Sequence, residues 1–153
     1  MPNTYTQLYI QIIFAVQYRH NMIREDIREP IEKYICGIIT QEKSKPIAIY
    51  CNPDHIHILV SMHPGISLSH LVHQIKSQST KFINANKWLK SSFNWQRGYG
   101  AFTYRKADTE RVARYIQNQP IHHRARGFRE EYTDLLKSLD VDYKDVYLFE
   151  WYS

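Results

Sequence analysis

Residues 53–61 read PDHIHILVS, and this stretch determines how the rest of the chain is interpreted. Pro53 and Asp54 form turns readily, and the β-branched and aliphatic residues after them are typical of a buried strand. Because side chains alternate between the two faces of a strand, His55 and His57 point to one face, and Ile56, Ile58 and Val60 point to the other. Two such imidazoles can share a divalent ion if other residues add ligands, or they can simply line a cleft and form hydrogen bonds.

The length and composition are those of one globular domain, which we expect to span residues 1–153. The chain is 43% hydrophobic and 23% charged, as is usual for a soluble protein. No apolar run approaches the ~20 residues of a membrane span, and the N-terminus lacks the pattern of a secretory signal, so we expect a cytoplasmic protein without a membrane partner.

Cys36 and Cys51 form no CxxC pair, which argues against a disulfide framework or a cysteine-rich zinc site. The net charge of +5 permits a polyanionic partner but does not require one.

Hydrophobic periodicity predicts an α+β fold. Apolar residues alternate over residues 6–16, which indicates a strand, and recur at helical spacing over residues 24–42. Residues 46–51 indicate a second strand, joined to the histidine strand by a turn so short that the two must be antiparallel neighbours. A helix capped by Ser67 follows, and residues 95–105 begin as a glycine-containing loop and end as a strand. The order βαββαβ predicts a ferredoxin-like, four-stranded antiparallel sheet with two helices on one face. We expect the histidine strand at its centre, with the imidazoles looking out from the open face of the sheet or from its edge.

Additional helices are expected after this core. Asp108 is a candidate N-cap for a helix over 109–119, which Pro120 helps to end. An amphipathic helix is expected over 129–139. The aromatic segment 146–152 is expected to pack on the domain or on a partner chain.

Tyr115 and Gln119 are four residues apart, so a helix places them one turn apart on the same face. A phenol can act as a nucleophile once its proton is removed, and an amide oxygen can bind Mg²⁺ or Mn²⁺. Taken alone, the same spacing is also expected if Tyr115 is a core residue and Gln119 caps the end of the helix. The pair becomes informative only in combination with the histidines.

Three motifs, taken in order, resemble a known family. They are the histidine strand at 53–60, the segment WQRGYGAF at 95–102, and YIQNQ at 115–119 followed by His122 and His123. Together they resemble the single-tyrosine transposases of the HUH superfamily. These are carried by the smallest bacterial insertion sequences, and some relatives are associated with repetitive extragenic palindromes.

The resemblance implies a transposase that nicks and joins single-stranded DNA. Its metal site would be formed by His55, His57 and Gln119 and would hold Mg²⁺ or Mn²⁺, with Tyr115 as the nucleophile. Attack by Tyr115 would give a 5′-phosphotyrosine and a free 3′ hydroxyl; a 3′ hydroxyl could reverse the step without a nucleotide cofactor. A divalent ion would offset charge on the phosphate oxygens and favour the phenolate of a tyrosine, whose ordinary pKa is ~10.

The implied partner is single-stranded DNA that carries a folded hairpin. Candidates for phosphate contacts are basic residues distributed along the chain: Arg19, Lys76, Lys81, Arg97, Arg105, Arg124 and Arg126. Trp95, Tyr99 and Phe102 are candidate surfaces for base stacking. The same side chains could instead be solvated charges and core aromatics.

A homodimer is also expected, because relatives that are active in transposition commonly act as dimers. An exposed hydrophobic strand at 8–16, or the aromatic segment 146–152, could supply the interface. Palindrome-associated relatives can be monomeric, so this resemblance leaves a single subunit open.

Two other functions remain open. A non-catalytic, single-stranded nucleic-acid-binding module of ferredoxin-like fold would bind without metal and would tolerate Tyr115→Phe. A metal-dependent phosphoesterase that uses activated water would turn over continually and leave no covalent protein–DNA species.

Overall fold

A computed structural model describes residues 3–17, 22–120 and 127–144. The strands are β1 (Tyr9–Ala15), β2 (Lys45–Cys51), β3 (His55–Ser61) and β4 (Gly100–Tyr104). The helices are α1 (Glu25–Gln41), α2 (Leu68–Ala85), α3 (Lys106–Gln117) and α4 (Phe128–Ser138). Within these three ranges, every helix is too short or too polar to cross a membrane.

The four strands form one antiparallel sheet in the order β2-β3-β1-β4. This confirms the α+β, ferredoxin-like prediction and the central position of the histidine strand. His57 lies opposite Ile13 of β1 on one side and Tyr50 of β2 on the other. The expectation of an exposed strand at 8–16 is wrong, because β1 pairs with β3 along one edge and with β4 along the other.

One face of the sheet packs against α1 and α2. Ser67 caps α2 as predicted, because its Oγ accepts a hydrogen bond from the His70 N–H at 3.1 Å. The buried layer contains apolar side chains from both helices and from alternate positions of the strands. Among its members are Ile12, Phe14, Ile31, Ile35, Ile56, Ile58, Leu71 and Ile75.

The other face of the sheet is covered as well, in part by α3. Val112 and Ile116 of α3 are buried against Ala48 of β2 and Leu59 of β3. These four side chains form a second, smaller apolar cluster. Because α1 and α2 occupy the opposite face of the sheet, the apolar stripe of α3 packs on this one.

The rest of this face is covered by α4, which corrects the expectation that the histidines face an open side. Phe128 stacks on His55 with ring centroids 3.7 Å apart, and Tyr132 contacts Phe102 of β4 edge-on. His55 and His57 are accordingly 0% and 1% exposed. The apolar stripe of α4 needs a partner, and this half of the sheet provides one.

The start of α3 differs from the sequence prediction. The helix begins at Lys106, with Arg105 in the N-cap position. Asp108 lies in the first turn, where its carboxylate pairs with Arg105 at 3.3 Å and Arg111 at 3.6 Å. A negative charge in the first turn also interacts favourably with the helix dipole, so Asp108 supports the helix without capping it.

Candidate functional site

The two histidines of β3 are oriented for metal binding. His55 Nδ1 lies 2.7 Å from Asp54 Oδ1, and His57 Nδ1 lies 2.9 Å from Gln11 Oε1. Carboxylate and amide oxygens only accept hydrogen bonds, so each Nδ1 is the donor. In the neutral imidazoles the lone pairs are therefore on the Nε2 atoms, which is how metal-ligating histidines are usually held.

A carboxylate from α4 completes the cluster. Glu131 is 3% exposed, and its Oε1 lies 3.3 Å from His57 Nε2 and 3.6 Å from His55 Nε2. One ligand atom from each of these three residues lies within 4.8 Å of the others. The three side chains therefore form a buried group that could hold a metal ion.

Tyr115 lies in the same cluster. Its hydroxyl donates a hydrogen bond to Glu131 Oε2, and its ring centroid is 6.1 Å from that of His57. The structure thus brings the predicted nucleophile next to the predicted ligands within one chain.

Gln119 reaches the cluster from beyond the end of α3. This helix ends at Gln117, with Asn118 as its C-cap, so the prediction that Tyr115 and Gln119 lie on one continuous helix is wrong; Gln119 and Pro120 are helical again after this break. Gln119 is nevertheless fully buried. Its Oε1 accepts a hydrogen bond from Asn52 Nδ2 at 3.1 Å, and its Nε2 donates to Glu131 Oε2 at 3.1 Å.

The electrostatics of the cluster raise the pKa of His55. Burial alone lowers this pKa, but the hydrogen bonds and negative charges of Asp54 and Glu131 outweigh burial, so the pKa lies above its ordinary value. An ion that binds His55 Nε2 must therefore compete with a proton.

Sequence reasoning did not identify Glu131 as a site residue. The helix at 129–139 was recognised from an apolar stripe that includes Tyr132 and Leu135. Glu131 is adjacent to the first of these and one turn before the second, so it lies on the buried side of the helix. An acidic residue on the apolar side of an amphipathic helix is the feature of the sequence that could have indicated Glu131.

Several predicted DNA contacts lie outside the buried cluster. Lys81, Arg97 and Arg105 are exposed, as a phosphate contact requires. Other predicted residues lie outside the described part of the chain; these are Arg19, His122, His123, Arg124, Arg126 and the aromatic segment 146–152.

Lys76 holds a loop. Its Nζ donates hydrogen bonds to the carbonyl oxygens of Gln96 at 2.8 Å and Gly98 at 2.7 Å. Burial lowers the pKa of Lys76 to about 8. Its ammonium group therefore stabilises the loop before β4 and also adds positive charge to the surface.

Two of the three candidate stacking surfaces are core residues. Trp95 packs edge-on against Phe14 and Phe93, and its Nε1 donates a hydrogen bond to Ser79 Oγ at 2.8 Å. Phe102 is 9% exposed. Neither ring offers a face to a base, whereas Tyr99 is 38% exposed and can do so.

A cleft of about 340 Å³ opens between α3 and α4. It is lined by the half-buried Tyr115 and the buried Glu131, and by Arg111 and Asp134, which are exposed. The buried cluster is therefore reachable from solvent along the side that carries the Tyr115 hydroxyl.

Residues 4–119 match a family described as "Transposase IS200 like". The chain is 23% identical over 118 residues to ISDra2 transposase TnpA of Deinococcus radiodurans. This alignment covers 74% of this chain and 84% of that protein. It is 25% identical over 114 residues to the transposase for insertion sequence element IS200 of Salmonella typhimurium, covering 71% of this chain and 74% of the relative.

Two solved structures share the fold. A putative transposase from Deinococcus radiodurans R1 gives a TM-score of 0.64 at 22% identity, covering 78% of this chain and 95% of that one. A REP-associated tyrosine transposase bound to a REP hairpin gives a TM-score of 0.59 at 18% identity, covering 80% of this chain and 73% of that one.

Proposed function

The chain belongs to the IS200-like transposase family, and we propose that it cuts and rejoins single-stranded DNA with Tyr115 as the nucleophile. The observation that carries this proposal is the hydrogen bond from the Tyr115 hydroxyl to Glu131, a carboxylate that also lies against His55 and His57. Clusters of buried titratable groups at a cleft are typical of catalytic sites. A module that only bound DNA would have no need of one.

The proposal includes a divalent ion, Mg²⁺ or Mn²⁺. His55 and His57 would hold it through Nε2. Gln119 belongs to the same ligand set and would join it with its amide turned over, since its Nε2 now faces Glu131 and its Oε1 faces Asn52. Imidazole nitrogens combined with side-chain oxygens suit a hard or borderline divalent ion, so the donor set fits. When bound, the ion would offset the charge that develops on the phosphate oxygens and on the leaving oxygen.

Tyr115 would attack the phosphodiester directly. A bond forms between its Oη and phosphorus, and the bond from phosphorus to O3′ breaks, which leaves a 5′-phosphotyrosine and a 3′ oxygen. The phenol proton passes to Glu131 Oε2, which already accepts its hydrogen bond; Glu131 then releases this proton to solvent, and the departing 3′ oxygen takes up a proton from solvent. A 3′ hydroxyl of another strand can reverse these steps, so rejoining uses no nucleotide cofactor.

The proposed substrate is single-stranded DNA with a hairpin. This is supported by the fold shared with a relative whose structure holds a REP hairpin and by the exposed Lys81, Arg97 and Arg105. Phosphate contacts by Arg19, Lys76, Arg124 and Arg126 remain part of the proposal. So does a homodimer, although Tyr115 meets the histidines of its own chain without a second subunit.

The test is the formation of a covalent protein–DNA species. The protein is incubated with Mn²⁺ and single-stranded oligonucleotides from the flanks of its own gene, and denaturing gels are examined for an adduct. We expect an adduct with the wild type and with the control Tyr34→Phe, and none with Tyr115→Phe. Binding without any adduct would favour the non-catalytic module, and cleavage without an adduct would favour the phosphoesterase.

A further inference from the structure

We propose that Glu131 of α4 is an additional ligand of the divalent ion, which makes α4 part of the active site. This inference rests on the metal-dependent function proposed above. It extends the ligand set of His55, His57 and Gln119 by an anionic oxygen. It also concerns a part of the chain that the family match does not reach, since that match ends at residue 119.

The two carboxylate oxygens of Glu131 have different neighbours. Oε2 of Glu131 accepts hydrogen bonds from the Tyr115 hydroxyl and from Gln119 Nε2. Oε1 points instead at the Nε2 atoms of His55 and His57. The carboxylate therefore presents one oxygen to the nucleophile and the other to the two nitrogens that are oriented for a metal.

The distances from Glu131 Oε1 to the two histidine Nε2 atoms suit a shared ion. A charge-assisted hydrogen bond between an imidazole and a carboxylate is about 2.7–2.9 Å long, whereas Glu131 Oε1 lies 3.3 Å and 3.6 Å from the two nitrogens. Two ligands that each lie about 2.1 Å from an ion are roughly 3–4.2 Å apart, depending on the angle between them. The 3.3 Å contact with His57 is a long hydrogen bond, and both separations also lie within the range expected for ligands of a common ion.

The rest of α4 fixes Glu131 in place. Phe128, one turn earlier on the same side, stacks on His55. Tyr132, the next residue, packs so closely on Gly100 that a Cβ there would overlap its hydroxyl. Rigid placement by neighbouring packing is what a metal ligand requires.

An anionic ligand has a consequence that the neutral set lacks. It lowers the net charge of the bound ion by one and adds a hard oxygen donor, which favours Mg²⁺ and Mn²⁺ over softer metals. It also couples metal binding to the docking of α4, so an ion should stabilise the helix on the sheet.

Direct measurement of metal affinity tests this inference. Mn²⁺ binding to the full chain is measured from the electron paramagnetic resonance signal of free Mn²⁺. Glu131→Gln removes the charge and keeps the shape, and Glu130→Gln removes a charge from an exposed residue of the same helix. We expect Glu131→Gln to weaken Mn²⁺ binding by at least about tenfold and to reduce the metal-induced rise in Tm, with Glu130→Gln within about twofold of the wild type.

A second variant, with measurements of folding, controls for misfolding as the cause of weaker Mn²⁺ binding. Circular dichroism and the metal-free Tm establish whether Glu131→Gln is folded, and Glu131→Asp keeps the charge while withdrawing the carboxylate by one methylene. We expect Glu131→Asp to bind Mn²⁺ more weakly than the wild type does. Affinity that is unchanged in the folded variants would overturn the inference, and so would tighter binding by Glu131→Gln, which would mean that the carboxylate occupies the place of the ion.

The failure of this inference can be told from the failure of the proposed function. If His57→Ala loses Mn²⁺ binding while the Glu131 variants keep it, Glu131 is not a ligand and the histidine site stands. If the wild type does not bind Mn²⁺, the metal site and this inference fail together. The adduct assay with Tyr115→Phe decides the nucleophile independently.

Discussion

Gly100→Ala should loosen α4 from the sheet and thereby destabilise the protein. A Cβ at this position would overlap the Tyr132 hydroxyl and would lie 3.0 Å from Phe102 Cε2. Overpacking of this kind typically costs about 1–3 kcal/mol, and the better strand propensity of alanine returns about 0.5–1 kcal/mol. The middle of these two ranges gives a net loss of about 1 kcal/mol, which for a chain of this size lowers Tm by roughly 2–4 °C.

The assay is thermal and urea unfolding followed by circular dichroism, with Gly37→Ala as the matched control. Gly37 lies within α1, and a Cβ there would meet nothing within 4 Å. Alanine in the interior of a helix should stabilise by up to about 1 kcal/mol. The same substitution is therefore expected to act with opposite signs at the two positions.

A double-mutant cycle isolates the contact itself. Tyr132→Phe removes only the hydroxyl that the new Cβ would overlap, so Gly100→Ala should cost less in the Tyr132→Phe background than in the wild type. The reasoning is refuted if Gly100→Ala leaves the free energy of unfolding unchanged, or if its cost is the same in both backgrounds. Weaker Mn²⁺ binding by Gly100→Ala would further link this packing to Glu131.

The remaining predictions concern the second layer of the site and the loop before β4. Gln11→Met removes the acceptor of His57 Nδ1 and should weaken Mn²⁺ binding by roughly ten- to a hundredfold, as loss of such a partner usually does; Gln117→Met, at an exposed position of α3, should leave Mn²⁺ affinity unchanged in the same titration. Lys76→Met tests the pKa of about 8 at Lys76. The folded protein binds the Lys76 proton less well than the unfolded chain does. The contribution of Lys76 to the free energy of unfolding therefore increases as pH rises from about 8, its pKa in the folded protein, to about 10.4, its pKa in the unfolded chain. The free energy of unfolding of the wild type minus that of Lys76→Met should therefore increase across that window in urea titrations, and a flat or falling difference would contradict the assignment.

The secondary structure of the ferredoxin-like core could be predicted because its signals are local. Period-two alternation in β1, helical spacing in α1 and α2, and the three-residue turn between β2 and β3 all involve neighbours in the chain. The start of α3 was misplaced for the same reason. Asp108 looked like a cap when only its neighbours were considered, whereas the helix extends back to Lys106.

The layering of the molecule could not be predicted in the same way. Strand β1 reads as a hydrophobic strand whether it lies at an edge or in the centre, and only pairing with both β3 and β4 decides the matter. Likewise, the amphipathic pattern of α4 shows that one side must be buried, but it does not identify the surface that buries it. That surface proved to be the sheet face that carries the histidines.

By itself, the sequence determined that His55 and His57 share a face of one strand, because alternation is a property of extended backbone. The resemblance of its motifs added Tyr115 and Gln119 as expected partners. Only the tertiary structure brought Glu131 to them, through a contact between residues 74 positions apart in the chain. Such a contact depends on how two preformed surfaces pack together, and no local pattern of residues records it.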